Sequence, residues 1–87
     1  MKFEVDPAKS ARNKVKHGLD FMEAQALWAD LRLVEAPAMS EDELRFLAIG
    51  RIDGKHWTAI CTLRGDVVRI ISVRRARKED IGSYEGT

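Results

Sequence analysis

Cysteine is all but missing from this chain. Cys61 stands alone among 87 residues, so no internal disulfide can form, and a reducing, cytoplasmic setting is expected. Proline occurs twice and glycine six times, too sparsely for a collagen-like or low-complexity tract. No apolar run approaches the ~18 residues a membrane span needs. The opening stretch MKFEVDPAKS alternates polar and apolar residues and lacks the apolar core of a secretory signal. There is no glycine-rich phosphate loop, and no strand-to-helix elbow presents a serine nucleophile. A membrane protein, a disulfide scaffold, a disordered tail and a large cofactor enzyme are thereby excluded, and no cofactor is expected. What is present fits one domain over residues 1–87, with 45% apolar residues for a core and 33% charged residues, above the usual ~25%.

The net charge of +1 hides an asymmetry. Residues 9–17 carry Lys9, Arg12, Lys14 and Lys16 and no acid; residues 20–43 carry seven acids against Arg32. Residues 44–78 carry nine Lys or Arg against Asp53 and Asp66. If the two basic blocks meet in space they create a field that attracts a polyanion. The alternative is an ordinary solvated surface of mixed charge.

Phe3 and Val5 alternate with Lys2 and Glu4, a short strand pattern. Asp6-Pro7 reads as an N-cap followed by proline at the first helical position. The helix that follows groups Ala8, Ala11 and Val15 on one face and Lys9, Arg12 and Lys16 on another, and ends at Gly18. Asp20-x-x-Glu23 resembles a capping box that opens a second short helix, with Phe21, Ala24, Leu27 and Trp28 facing a core. A strand is expected around 31–35, then a loop through Pro37 and the acids Glu41, Asp42 and Glu43. Residues 44–52, 55–63 and 67–73 read as three strands joined by tight turns, the first being the strong hairpin signal Asp53-Gly54. A short helix is expected from about Ala76 to Glu85. The fold class is α+β: a twisted antiparallel meander with N-terminal helices on one face and a short C-terminal helix. In 67–73 neither alternating set is purely apolar, so arginine is expected to emerge from both faces.

Two constellations carry possible chemistry. Lys9, Asn13 and His17 recur at i, i+4 and i+8 along one side of the first helix. An ammonium, an amide and an imidazole in a row can bind phosphate, orient a ribose hydroxyl and exchange a proton. A histidine beside a helix-ending glycine also has a purely structural use, at the negative end of the helix dipole. The second constellation is Arg69, Arg74, Arg75, Arg77 and Lys78, whose guanidinium forks match phosphate geometry, with Arg45 and Arg51 on one face of a neighbouring strand. Tyr84, beyond this run, can stack on a base, donate a proton or pack on the sheet. The loop acids do not converge on a metal without help, so none is expected, and Cys61 in mid-strand reads as a buried small hydrophobe.

Phe3-x-x-Asp6-Pro7-x-Lys9, Asn13-x-x-Lys16-His17-Gly18-x-x-Phe21-x-x-Ala24, Glu43-x-Arg45 leading to Gly50, and Arg69-Ile70-Ile71-Ser72-x-Arg74-x-Ala76 ending at Tyr84 together resemble the BrnT toxins, over residues 3 to about 84. The family commonly has Trp where this chain has Val5, and Glu where it has Asp80. The resemblance implies a RelE-like ribonuclease fold, a type II toxin, and a BrnA-like ribbon-helix-helix antitoxin that carries any contact with DNA.

The combined expectation is a metal-independent endoribonuclease that cuts mRNA and inhibits translation by in-line attack of the RNA's own 2′-hydroxyl. Lys9, Arg69 and Arg74 are expected at the phosphate, His17 and Tyr84 as proton carriers, and Arg45, Arg75 and Asn13 as RNA contacts. On this view Arg74→Ala removes activity without loss of stability. The alternative is a non-catalytic basic module that binds a partner protein or nucleic acid.

Overall fold

The computed structural model describes residues 1–38 and 44–86. Its elements follow in the expected order: β1 (Lys2–Glu4), α1 (Pro7–His17), a 3-10 helix (Glu23–Ala29), β2 (Val34–Ala38), β3 (Arg45–Ile52), β4 (Lys55–Arg64), β5 (Val67–Arg75) and α2 (Lys78–Glu85). Glu41, Asp42 and Glu43 lie outside the described residues.

The strands form one sheet in the order β1-β5-β4-β3-β2. From β2 to β5 it is the expected antiparallel meander, but β1 pairs with β5 in parallel, so the sheet is mixed. A parallel neighbour needs a long crossover, and here α1, the 3-10 helix and the whole meander supply it. Asp53 and Gly54 both have positive φ, 51° and 79°, the signature of a type I′ turn, whose twist matches the flanking strands. β2 starts later than expected and takes in Ala36, Pro37 and Ala38. The proline is tolerated because β2 is an edge strand.

The capping box forms as expected: the Glu23 backbone N–H donates to Asp20 Oδ1 at 2.7 Å, and the Asp20 N–H donates to Glu23 Oε1 at 3.0 Å. The helix it opens is 3-10 rather than α. Its two fully buried residues, Ala24 and Leu27, are three apart, and a repeat of three puts both on the sheet. They cover the face formed by Ala48, Trp57, Ala59, Cys61, Val68, Ile70 and Val73. Gly50 makes this close approach possible. A Cβ there would lie 3.1 Å from Leu27 Cδ2, 3.2 Å from Asp30 Oδ2 and 3.3 Å from Leu33 Cδ1. Cys61 is buried among these groups, and burial, reinforced by Glu35, pushes its thiol up to about 12. It behaves as a small apolar residue.

Over their paired stretch, 57–64 against 67–75, β5 carries one residue more than β4. Cys61 pairs with Ile70 and Ile60 with Ser72, which leaves Ile71 unpaired as a bulge. The bulge resolves the mixed pattern of this strand. Val68, Ile70 and Val73 all reach the core, while Arg69 opposite Thr62 and Arg74 opposite Thr58 share the other face. Five positions apart, they would sit on opposite faces of a regular strand. The expectation of arginines on both faces is therefore corrected for this pair. Arg75 pairs with Trp57 and stacks over its ring at 5.4 Å on the core side.

α1 runs along the edge of β5 beyond β1. Its apolar stripe is not what packs: Val15 is 90% exposed, and the buried residues are Ser10 and Asn13. α2 forms despite Gly82 and lies on the sheet face opposite the 3-10 helix. Its Asp80 accepts from Thr58 Oγ1, and its Tyr84 meets the His56 ring edge-on at 5.2 Å. Helices thus occupy both faces, and not the one face expected.

Candidate functional site

Three cations from three elements meet where α1 crosses β5. Lys9 of α1, Arg45 of β3 and Arg69 of β5 line a hollow of about 170 Å³ together with Thr62 and Ile71, and none of these five residues is an acid. The register explains the grouping. Arg45 and Arg69 each pair with Thr62 from opposite sides, so both guanidinium stems leave the same face at one level of the sheet. Lys9 reaches them because the Asp6 side chain accepts from the backbone N–H groups of Ala8 at 2.9 Å and Lys9 at 3.2 Å, fixing the start of α1 beside β5.

A second hollow of about 330 Å³ adjoins the first and shares Lys9 and Ile71 with it. Arg12, Lys16 and His17 extend it along α1, and Phe21 and Ser72 help to line it. The two form one cationic cleft. His17 lies eight residues from Lys9, roughly 12 Å along the helix, at the far end of the cleft.

Asn13 lines this cleft but turns inward. Its Nδ2 donates to Leu19 O at 2.7 Å and to Val73 O at 2.8 Å. Its Oδ1 accepts from the Val73 N–H at 3.2 Å and from Ser72 Oγ at 3.4 Å. All four hydrogen-bonding valences of the amide are thereby used. Asn13 substitutes for a neighbouring strand on the open edge of β5.

Arg74, Arg75 and Tyr84 are not brought to the cleft. Arg74 and Arg69 share a face, but their partners Thr58 and Thr62 are four residues apart, about 13 Å along the strand. Arg74 Nη1 donates to Asp80 Oδ2 at 2.7 Å, with side chains 18% and 6% exposed. The same oxygen accepts from the Arg77 N–H at 2.9 Å and from Thr58 Oγ1 at 3.1 Å. Burial works to raise the Asp80 carboxyl, but the Arg77 N–H, the Arg74 guanidinium and the Thr58 hydroxyl outweigh it and hold it below the ordinary value. Arg75 is on the opposite side, over Trp57.

Tyr84 is buried, and its hydroxyl donates to Asp30 Oδ2 at 2.8 Å. Burial first, and then the Asp30 carboxylate, push the phenol upward, so it stays protonated. Asp30 also accepts from the backbone N–H groups of Arg32 and Arg51, both at 2.9 Å. Burial opposes ionisation there, yet these bonds and the Tyr84 hydroxyl hold Asp30 below the usual carboxylate range. Tyr84 and Asp30 therefore tie α2 to the 3-10 helix at the end of the sheet that carries the Asp53-Gly54 turn.

Arg12, Lys16, Thr62 and Ile71 also line the cleft but do not stand out as site residues in the sequence. The acid-free run 9–17 signals the first two, since they share a helical face with Lys9. Thr62 and Ile71 need the strand register and the bulge, which no local pattern announces. Among the described residues, no three His, Cys, Asp or Glu side chains are grouped to hold a metal ion, and no helix is long and apolar enough to cross a membrane.

No curated protein matches the chain. A family model does: that of the ribonuclease toxin BrnT of type II toxin–antitoxin systems, over residues 5–80. This match spans α1, the whole meander and the start of α2, and so contains every residue that lines the cationic cleft. The chain belongs to the BrnT family of ribonuclease toxins.

Proposed function

We propose that this protein is a metal-independent endoribonuclease of RelE-like fold that cuts mRNA in the cytoplasm and so inhibits translation. The observation that carries the reading is the convergence of Lys9, Arg45 and Arg69 on one hollow. In-line attack makes the O2′–P bond and breaks the P–O5′ bond, and negative charge builds on the phosphorus oxygens between the two events. Three fixed cations stabilise that charge more than they stabilise the bound substrate. No protein nucleophile is required, because the RNA supplies its own.

Among the described residues, His17 is the only imidazole lining the cleft; roughly 12 Å along α1 from Lys9, it contacts the flanking chain, and water takes the 2′-hydroxyl proton. The leaving 5′-oxygen is protonated from water or from Lys9. Arg12 and Lys16 hold the flanking backbone. We assign Arg74 and Tyr84 to holding α2 in place and Asn13 to closing the edge of β5, and Arg75 to the Trp57 side of the sheet. A BrnA-like ribbon-helix-helix antitoxin neutralises the enzyme, and DNA is met only through that partner.

The test is cleavage of a defined RNA by purified protein in EDTA. The expected products end in a 2′,3′-cyclic phosphate and a 5′-hydroxyl. Loss of all cleavage in chelator overturns the metal-free mechanism. RNA that is bound but left whole, with or without added metal, indicates a non-catalytic binding module instead.

A further inference from the structure

α1 presents a second surface on its outward side. Ala11 and Val15, with the aliphatic stems of Arg12 and Lys16, line a shallow apolar hollow of about 470 Å³. Ala8 continues the stripe one turn earlier, exposed like Ala11. Val15, 90% exposed, is a β-branched residue in the last turn of α1, where it costs helix propensity and buries nothing in this fold. The inward side of α1 is held by the polar groups of Ser10 and Asn13, so the helix packs by its polar side and shows its apolar side to solvent. The usual arrangement is the reverse.

The flanks of this stripe say what covers it. Arg12 and Lys16 line both the apolar hollow and the RNA cleft, and no acid occurs anywhere in residues 9–17. An occupant must therefore bring apolar groups for Ala11 and Val15, and carboxylates for Arg12 and Lys16. We infer that the outward face of α1 is the docking site for an acidic amphipathic helix of a partner protein, which silences the enzyme by taking Arg12 and Lys16 away from RNA. The inference rests on the ribonuclease reading for its consequence, but the docking stands on geometry and charge alone. The partner need not enter the hollow of Lys9, Arg45 and Arg69: occupying the two shared cations blocks the path of the RNA backbone.

The probe is a helical peptide of about 20 residues with leucines at i, i+3, i+4 and i+7 and glutamates on both flanks. Two control peptides replace the glutamates by lysine or the leucines by serine. The acidic peptide is expected to shift the amide resonances of Ala8, Ala11, Arg12, Val15 and Lys16 in the full-length protein and to displace a labelled RNA oligonucleotide. Both controls are expected to do neither. Val15→Glu is expected to weaken the peptide by about tenfold or more while RNA binding and cleavage stay within about twofold, because Val15 touches neither core nor cleft.

Shifts centred on another surface, equal binding by the serine control, or full peptide affinity in Val15→Glu each overturn the proposal. So does Val15-dependent sedimentation with phosphatidylglycerol vesicles, which assigns the face to a lipid surface. A wild-type protein that fails to cleave RNA yet binds the peptide on α1 overturns the ribonuclease reading and leaves the docking face standing.

Discussion

The Arg74 guanidinium donates to Asp80 Oδ2 at 2.7 Å across the start of α2, and little of either side chain reaches solvent. This contact ties Arg74, which its sequence context puts at a phosphate, to the first turn of α2. Removing one partner of such a pair leaves the other charge buried and alone, which costs far more than an exposed ion pair contributes.

Arg74→Ala is therefore expected to lower stability by about 3 kcal/mol, opposite to the unchanged stability expected of a phosphate ligand. Urea denaturation followed by circular dichroism measures it. The double variant Arg74→Ala/Asp80→Asn should recover part of the loss, since neither charge is then stranded. A single variant as stable as the wild type would show that the pair is not holding α2.

Asp30 and Asp80 are both held below the ordinary carboxylate value. The unfolded chain, with carboxyls near ~3.9, then binds protons first as the pH falls. The stability they contribute is complete above that value and disappears as the pH drops through their lower folded values. Thermal unfolding between pH 6 and 2 should show a midpoint that declines steeply below about pH 4. Asp80→Asn should be less stable at neutral pH and show a shallower acid decline.

Asn13→Ala removes four hydrogen bonds, three of them to the edge of β5, and leaves the Val73 N–H and C=O without their partner. The expected cost is about 2–4 kcal/mol. Hydrogen exchange at the Val73 amide should quicken more than at Ala59, which pairs with it across β4. Slow exchange at Val73 in this variant would show that another group covers the edge.

Lys9→Ala and Arg69→Ala change exposed or half-buried cations with no role in the core. Each is expected to lower cleavage by about 100-fold or more with the thermal midpoint kept. The slope of log binding constant against log salt should fall by about 0.7 for each phosphate the variant no longer neutralises. Full activity in both variants would remove the three-cation hollow from the mechanism.

Gly50→Ala places a methyl group against Leu27, Asp30 and Leu33 at 3.1 to 3.3 Å. It should destabilise by about 1–3 kcal/mol and loosen the 3-10 helix, read as faster hydrogen exchange across Ala24 to Leu27.

What the residues announce in advance follows from local chemistry. Asp6-Pro7 and Gly18 bound α1, Asp20 and Glu23 open the next helix, and Asp53-Gly54 sets the hairpin, each through interactions a few positions long. The meeting of Lys9 with Arg69 and Arg45 is legible in outline from charge, because the two basic blocks, 9–17 and 44–78, have one small domain in which to meet. Asn13, Arg74 and Tyr84 have partners that the sequence does not announce, for a shared reason. A polar side chain that satisfies a distant backbone or a buried acid has the same composition as one that binds a ligand, and only the partner's position tells them apart. Val73 is 60 residues from Asn13, and Asp30 is 54 from Tyr84. The parallel placement of β1 and the exposure of Val15 depend likewise on what the remainder of the chain leaves uncovered.

The unpaired Ile71 imposes a parity rule on this strand. Trimming Ile71 would leave a regular strand in which Arg69 and Arg74, then four apart, still share a face. Trimming two residues would instead turn everything downstream through half a rotation, presenting Val73 to solvent and driving an arginine into the apolar interior. A relative shorter by one at this point therefore keeps its phase and simply lacks the bulge, while one shorter by two must recover the lost phase elsewhere or abandon either its cationic hollow or its hold on the terminal helix.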